Sequence, residues 1–94
     1  MEAITISGKL MKDCEIRTDN KGNSFLYFQV LCTGSEYRGK ARETIYRCFL
    51  YNMQYSTLKA NDIVFLTGIF SVKFISGSPF FDVYVQQITT AQTK

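Results

Sequence analysis

The sequence lacks several residues on which common enzymatic and metal sites depend. Histidine is absent from all 94 positions, which removes the usual general base and the commonest metal ligand. The three cysteines, Cys14, Cys32 and Cys48, form no CxxC pair, so we expect neither a disulfide framework nor a zinc site, and a reducing cytoplasm is the simplest setting. No Gly-rich phosphate loop or paired carboxylates occur either. We therefore predict a non-enzyme that has no catalytic residues and needs no cofactor or metal.

Long apolar runs and a strong charge bias are also missing. No stretch of about 18 apolar residues occurs, so the sequence predicts no membrane span. The first residues have no basic start and no long apolar segment, and we expect a strand there rather than a secretion signal. A net charge of +3 is weak, so any anion-binding role must depend on local clusters of cations.

Aromatic residues, in contrast, are abundant. The chain has six Tyr and eight Phe but no Trp. These are more rings than one small core needs, so some should lie on the surface and bind a ligand. The length fits one domain over residues 1–94, with residues 88–94 expected to be frayed.

Alternation of apolar and polar residues predicts five strands, over residues 3–11, 25–32, 43–51, 63–75 and 80–88. A short helix is expected around residues 54–59, between the third and fourth strands. Gly8 and Gly68 interrupt the first and fourth strands, as bends do in a small barrel. This order predicts an all-β, five-stranded Greek-key barrel of the oligonucleotide-binding (OB) fold with one short helix between strands 3 and 4. A generic barrel of the SH3 type is the alternative.

Cations alternate in the loop after the second strand. Arg38, Lys40 and Arg42 fall at every second residue, with Tyr37 before them. Proteins hold single-stranded nucleic acid with cations along the phosphates and aromatic faces under the bases. We predict that these four residues contact nucleic acid, the alternative being a solvated loop with ordinary surface charges.

The third strand has no cleanly polar face, which suggests a functional aromatic residue on its outer side. We predict that Tyr46 stacks on a base, the alternatives being core packing or a subunit interface. The tip between strands four and five adds aromatic rings beside a cation, whose alternative role is closure of the core. The predicted nucleic-acid-binding residues are Lys9, Arg17, Tyr27, Tyr37, Arg38, Lys40, Arg42, Tyr46, Lys73, Phe74 and Phe80.

Several segments together resemble one known family. Residues 6–17 are similar to V-G-x-L-x-x-D-P-E-x-R, the opening pattern of bacterial single-stranded DNA-binding proteins. Lys21-Gly22-Asn23 followed by Phe28-Gln29-Val30 resembles the family's N-G turn and F-S-L strand. Residues 44–48 stand where the family has T-E-W-H-R, and residues 67–70 resemble its E-G-x-L. The resemblance extends over residues 4–88.

The resemblance implies an OB-fold barrel that assembles as a homodimer or homotetramer. It also implies sequence-tolerant binding of single-stranded DNA in replication, repair and recombination, at the nucleoid in the cytoplasm. The family's stacking Trp of strand three falls on Tyr46, its loop Trp near Tyr37, and its strand-four Trp near Phe74 or Ile75.

The chain also departs from the family pattern. Cys14 stands in place of Pro, and Cys48 stands in place of a basic residue, which removes one phosphate contact. Residues 90–94 are not acidic, whereas the family ends in an acidic tip that recruits partners. A barrel without that tail is similar to primosomal replication protein N, and to versions from phages, plasmids or mobile elements.

We therefore predict a homo-oligomer that binds single-stranded DNA with little sequence preference, with strand edges and apolar outer faces as subunit contacts. Replication proteins are further expected partners. One alternative is a primosome-like adaptor that binds replication partners and contacts DNA weakly. Another is an RNA-binding OB domain.

Overall fold

The structure is a computed structural model, and it describes residues 2–33 and 43–91. Within these ranges the chain forms six strands and one turn of 3-10 helix. In chain order they are β1 (Glu2–Leu10), β2 (Glu15–Thr18), β3 (Ser24–Thr33), β4 (Glu43–Leu50), the 3-10 turn Met53–Tyr55, β5 (Ile63–Ile75) and β6 (Ser78–Ala91). The four predicted loop residues Tyr37, Arg38, Lys40 and Arg42 lie outside the described residues.

Five of the strands form a closed ring of pairings. β1 lies antiparallel to β5, β5 antiparallel to β6, and β4 antiparallel to β3. β6 runs parallel to β4, and β3 returns to β1 through the pairs Lys9–Leu31 and Leu10–Val30. This is the pairing that the five-stranded Greek-key barrel of the OB fold requires. β2 pairs with β3 alone among the described strands.

The strand predicted over residues 3–11 corresponds to β1, and β2 is an additional strand that the sequence did not predict. β1 ends at Leu10, and the chain then turns across one end of the ring before β2 begins. Backbone and carboxylate bonds hold this crossing: the Cys14 N–H donates to the Leu58 carbonyl at 3.1 Å, and the Ala60 N–H donates to the Asp13 carboxylate at 2.9 Å. β2 is therefore a sixth strand beside the five that the sequence predicts.

The predicted irregularity at Gly68 is confirmed, and both Gly8 and Gly68 lie where another strand approaches closely. A Cβ atom on Gly8 would collide with the carbonyl oxygen of Leu31, and one on Gly68 would collide with that of Tyr84. The pairing of β5 with β6 also shifts register between Thr67 and Gly68. Glycine is therefore required where the ring of strands closes tightly on itself.

Alternate residues of the five ring strands point into the ring and form the core. The largest fully buried side chains include Leu10, Leu26, Phe28, Val30, Val64, Leu66 and Val83. Cys48 is buried among them, and burial raises the pKa of its thiol well above the ordinary value, so it acts as a small neutral core residue. Leu58 closes one end of the core.

Two predicted boundaries differ from the structure. The helix expected over residues 54–59 is a single 3-10 turn that begins after Asn52, whose side chain accepts the Gln54 N–H at 3.0 Å. The helix does not continue, because the Leu58 N–H donates to the Tyr55 carbonyl at 3.1 Å and the Lys59 N–H donates to the Asp62 carboxylate at 2.9 Å, not to carbonyls four residues earlier. β6 continues to Ala91, although residues 88–94 were expected to be frayed, because its last residues pair with the start of β5.

No helix among residues 2–33 and 43–91 is long and apolar enough to cross a membrane.

Candidate nucleic-acid interface

Five aromatic side chains lie together on the outer face of β3, β4 and β6. Since Leu26, Phe28 and Val30 point inward from β3, the intervening residues point outward. The strand register then places Tyr27 beside Phe49, and Phe49 beside Tyr84. We call this group the aromatic face: Phe25, Tyr27, Phe49, Tyr51 and Tyr84.

Phe49 is the centre of the aromatic face. Its ring is stacked against Tyr84, with centroids 5.3 Å apart and planes 23° apart. It is tilted against Tyr27 at 5.5 Å and against Phe25 at 5.9 Å. Phe25 in turn contacts Tyr51, with ring centroids 5.3 Å apart. These are favourable aromatic separations, so each ring is held in place by its neighbours.

The outermost rings remain open to a ligand. Tyr51 is 56 % exposed and Tyr84 is 42 % exposed, whereas Tyr27 is only 9 % exposed. The Tyr51 hydroxyl donates to the Asp19 carboxylate at 3.1 Å, which anchors that ring to the turn between β2 and β3. Two rings are thus both exposed and fixed, as a stacking platform for bases requires.

Asp19 organises the turn between β2 and β3. Its carboxylate accepts the backbone N–H groups of Lys21 and Asn23, both at 2.9 Å, and Gly22 takes the left-handed conformation with φ 86°. The bond from the Asn23 N–H is the main cause that lowers the pKa of Asp19. The turn is therefore built for an ionised carboxylate, which also accepts the bond from Tyr51.

Arg17 and Tyr27, both predicted binding residues, are in direct contact. The Arg17 guanidinium carbon lies 3.9 Å from the centroid of the Tyr27 ring, a cation–π contact. Arg17 also forms an exposed ion pair with Glu15, with a nitrogen–oxygen distance of 3.0 Å. Arg17 therefore covers Tyr27 and presents its own charge at the edge of the aromatic face.

A second arginine lies on the other side of Phe49. The Arg47 Nε donates to Asp82 Oδ1 at 2.6 Å, and Nη2 donates to Oδ2 at 2.8 Å. Asp82 is 1 % exposed and is the one buried charged residue among those described. The bond to Asp82 is the main cause that raises the pKa of Arg47.

Tyr46 lies on the inner side of β4, although the sequence analysis assigned it to the outer side. It packs against the core, edge-on to Phe70 with centroids 6.2 Å apart and tilted to Phe81 at 6.3 Å. The register explains this placement, because Cys48 and Leu50 share its parity and point inward. Desolvation also raises the pKa of the Tyr46 hydroxyl.

The three predicted tip residues lie on the hairpin of β5 and β6. Lys73 pairs with Phe80, so the two side chains lie on the same side of the hairpin. The Phe80 ring on that side contacts the guanidinium of Arg47. Phe74 pairs with Pro79 on the opposite side of the hairpin and is 70 % exposed. Lys9 is exposed on β1, where it pairs with Leu31 rather than with any residue of the aromatic face.

Most of the aromatic face, and the arginine beside Phe49, were not predicted from the sequence. Phe25, Phe49, Tyr51, Tyr84 and Arg47 were not among the predicted binding residues. The alternation in β3 was a usable signal, since it fixed the outward side of that strand. In β4 both sides carry large apolar residues, so only the register with β3 separates them.

Solved structures of other proteins share this fold. No protein-family model matches the sequence, and no curated protein matches it. A solved complex of Plasmodium falciparum SSB with ssDNA superposes with a TM-score of 0.78 at 11 % identity, covering 98 % of this chain and 96 % of that one. The small single-stranded DNA-binding protein from Streptomyces coelicolor gives 0.78 at 16 % identity, covering 96 % and 92 %. The predicted all-β OB fold is thus confirmed, in the form that single-stranded DNA-binding proteins have.

Proposed function

We propose that this protein binds single-stranded DNA with little sequence preference, through the aromatic face. The observation that carries the proposal is the set of five mutually contacting rings on β3, β4 and β6. β3 and β4 are the second and third strands of the OB fold, whose outer face binds oligonucleotides. A solved structure of the same fold is a complex with ssDNA, which supports this choice of ligand.

The rings supply the first part of the binding energy. Stacking of a base on an aromatic side chain contributes roughly 1–3 kcal/mol, and every base has a face that can stack. Tyr51 and Tyr84 are the exposed members of the aromatic face and the expected stacking residues. Because ring faces do not distinguish one base from another, this part of the binding tolerates any sequence.

Cations supply the second part. Arg17 lies at one edge of the aromatic face, and Lys73 lies on the outward side of the β5–β6 hairpin. In the OB fold, this hairpin and the turn after the first strand flank the binding face. The loop residues Tyr37, Arg38, Lys40 and Arg42 remain part of the proposal on the strength of their alternating charges. Phosphate contacts of this kind weaken as salt rises.

The proposal extends to the biological setting. A binder of single-stranded DNA without sequence preference serves replication, repair and recombination, in the cytoplasm at the nucleoid. We propose a homodimer or homotetramer, because β2 pairs on one edge only within residues 2–33 and 43–91 and all four of its residues are exposed. An unpaired strand edge is available for pairing with a second copy of the chain.

A titration with labelled oligo-dT tests the proposal. Strands of several lengths are followed by fluorescence anisotropy at low and high salt, with light scattering on the same samples. Tight binding at low salt that weakens as salt rises supports the proposal. A lack of any anisotropy change at low salt refutes it, and tighter binding of a matched oligo-U strand would identify an RNA-binding protein instead.

A further inference from the structure

The pair of Arg47 and Asp82 is unusual for a surface that binds an anion. It lies on the outer face of β4 and β6, directly beside the aromatic face. Its carboxylate is buried, although a binding surface for DNA gains nothing from a buried negative charge. The simplest role for Asp82 is therefore to act on Arg47 rather than on the ligand.

Asp82 has two effects on Arg47. The two parallel hydrogen bonds, at 2.6 and 2.8 Å, fix the guanidinium plane in one orientation. The negative charge also compensates the positive one, so the pair as a whole is neutral toward a passing phosphate. Arg47 is thus held as a flat group with little net charge.

Two aromatic rings lie close to the guanidinium of Arg47. The guanidinium carbon lies 4.6 Å from the centroid of Phe80 and 5.9 Å from that of Phe49. The guanidinium therefore continues the aromatic face toward Phe80. A planar guanidinium stacks on aromatic groups as readily as it binds anions.

A cleft opens beside the plane. It has a volume of about 370 Å³ and is lined mainly by Arg47, Phe80, Pro79, Ile45 and Gln29, with Glu43 as its one acidic lining residue. Its apolar walls suit the flat face of a nucleobase, and the Gln29 amide can both donate and accept a hydrogen bond. Gln29 pairs with Arg47 across β3 and β4, so the amide and the plane lie side by side.

We infer that Arg47 is a base-stacking residue, whose guanidinium, neutralised and oriented by Asp82, forms the floor of a cleft for one nucleobase. This inference rests on the proposed function, since it requires that DNA occupies the aromatic face. Asp82 acts as the positioning residue. Arg47 then contributes affinity that does not depend on salt, unlike an arginine that contacts a phosphate.

Salt dependence separates these two roles. For single strands, each phosphate contact contributes about 0.7 to the slope of log affinity against log salt. Removing an arginine that contacts a phosphate therefore makes the slope shallower. Removing a neutralised arginine that stacks on a base leaves the slope unchanged. The affinity for oligo-dT and its salt slope are therefore measured for variants that change the guanidinium plane of Arg47 and the local charge separately.

The double variant Arg47→Met with Asp82→Asn removes the plane but leaves the local net charge unchanged. We expect affinity for oligo-dT to fall about 5- to 150-fold, the range for loss of one stacked base, with the slope unchanged. Arg47→Lys keeps the charge and loses only the plane, and it should show the same pattern. Circular dichroism and thermal unfolding confirm that each variant is folded.

Asp82→Asn alone gives the opposite signature. It releases the Arg47 charge, so we expect a slope steeper by about 0.7 and tighter binding at low salt, which an unfolded variant could not produce. Asp62→Asn makes the same change in net charge away from the aromatic face and is the matched control, with the slope unchanged.

Three results would overturn the inference. They are a double variant with a slope shallower by about 0.7, undiminished affinity of the folded double variant or of folded Arg47→Lys, and an Asp82→Asn slope equal to that of the wild type. Failure of the wild-type protein to bind oligo-dT is a separate result, which refutes the proposed function itself.

Discussion

The rings of Phe49 and Tyr84 stack on each other across a parallel pair of strands, with centroids 5.3 Å apart and planes 23° apart. Phe49 belongs to β4 and Tyr84 to β6, so the contact depends on the one parallel pairing among the described strands. The closure of the ring thus creates the stacking platform. The fold and the proposed binding surface therefore depend on the same strand register.

Tyr84→Ala should weaken binding of oligo-dT about 5- to 150-fold, because it removes one exposed ring on which a base stacks. Phe65→Ala is the control, since Phe65 is a ring of similar exposure, 50 % against 42 % for Tyr84, that lies on β5 outside the aromatic face. Anisotropy titrations at one fixed salt concentration compare the two variants. Equal losses of affinity in both would show that the aromatic face has no special role.

Tyr46→Ala should act mainly on stability. Its partly buried ring packs against Phe70, Phe81 and the core, so we expect the free energy of unfolding to fall by about 2 kcal/mol. Urea unfolding measures this change, and Tyr46→Phe is the control that keeps the ring. A folded Tyr46→Ala variant of unchanged stability, with a large loss of DNA affinity, would instead support the base-stacking role predicted from the sequence.

Gly68→Ala should destabilise the protein by about 2–3 kcal/mol, because the new Cβ meets the rigid carbonyl of Tyr84 rather than a movable side chain. The neighbouring Thr67→Ala is the control and should cost about 0.5 kcal/mol or less. Denaturant titrations give both values. If the two variants proved equally stable, the close approach of β5 and β6 at this bend would be in doubt.

Asp19 should make stability depend on pH in acid. Hydrogen bonds lower its pKa in the folded state below the ordinary value of 3.8, so the unfolded chain takes up the proton first as the pH falls. The stabilisation is fully present above about pH 4 and is lost as the pH falls through the folded pKa. Unfolding free energies between about pH 5 and 2 should therefore decline more steeply for the wild type than for Asp19→Asn. Parallel curves would remove Asp19 as the cause.

The sequence predicted those parts of the fold that local patterns encode. Leu26, Phe28 and Val30 alternate cleanly, so the inward side of β3 was evident, and the two bend glycines marked where the strands curve. The family resemblance then identified the OB fold. These features depend on residues close together in the chain, which is why one sequence sufficed.

The binding surface was harder to predict, because it depends on pairings between distant residues. Tyr46 and Phe49 are both aromatic, and only the register of β4 with β3 shows that one points inward and the other outward. The parallel pairing of Arg47 with Asp82 joins residues 35 positions apart, and no local sequence pattern predicts it. The same holds for β2, whose four residues are ordered only by β3 beside them.

The most direct test of the central claim is an NMR titration of the labelled protein with oligo-dT. The account predicts that the largest shifts map to β3, β4 and β6, with the ring resonances of Tyr51, Phe49 and Tyr84 moved upfield by the stacked bases. Shifts centred instead on the outer face of β1 and β5, around Phe65, with Tyr84 unaffected, would contradict it.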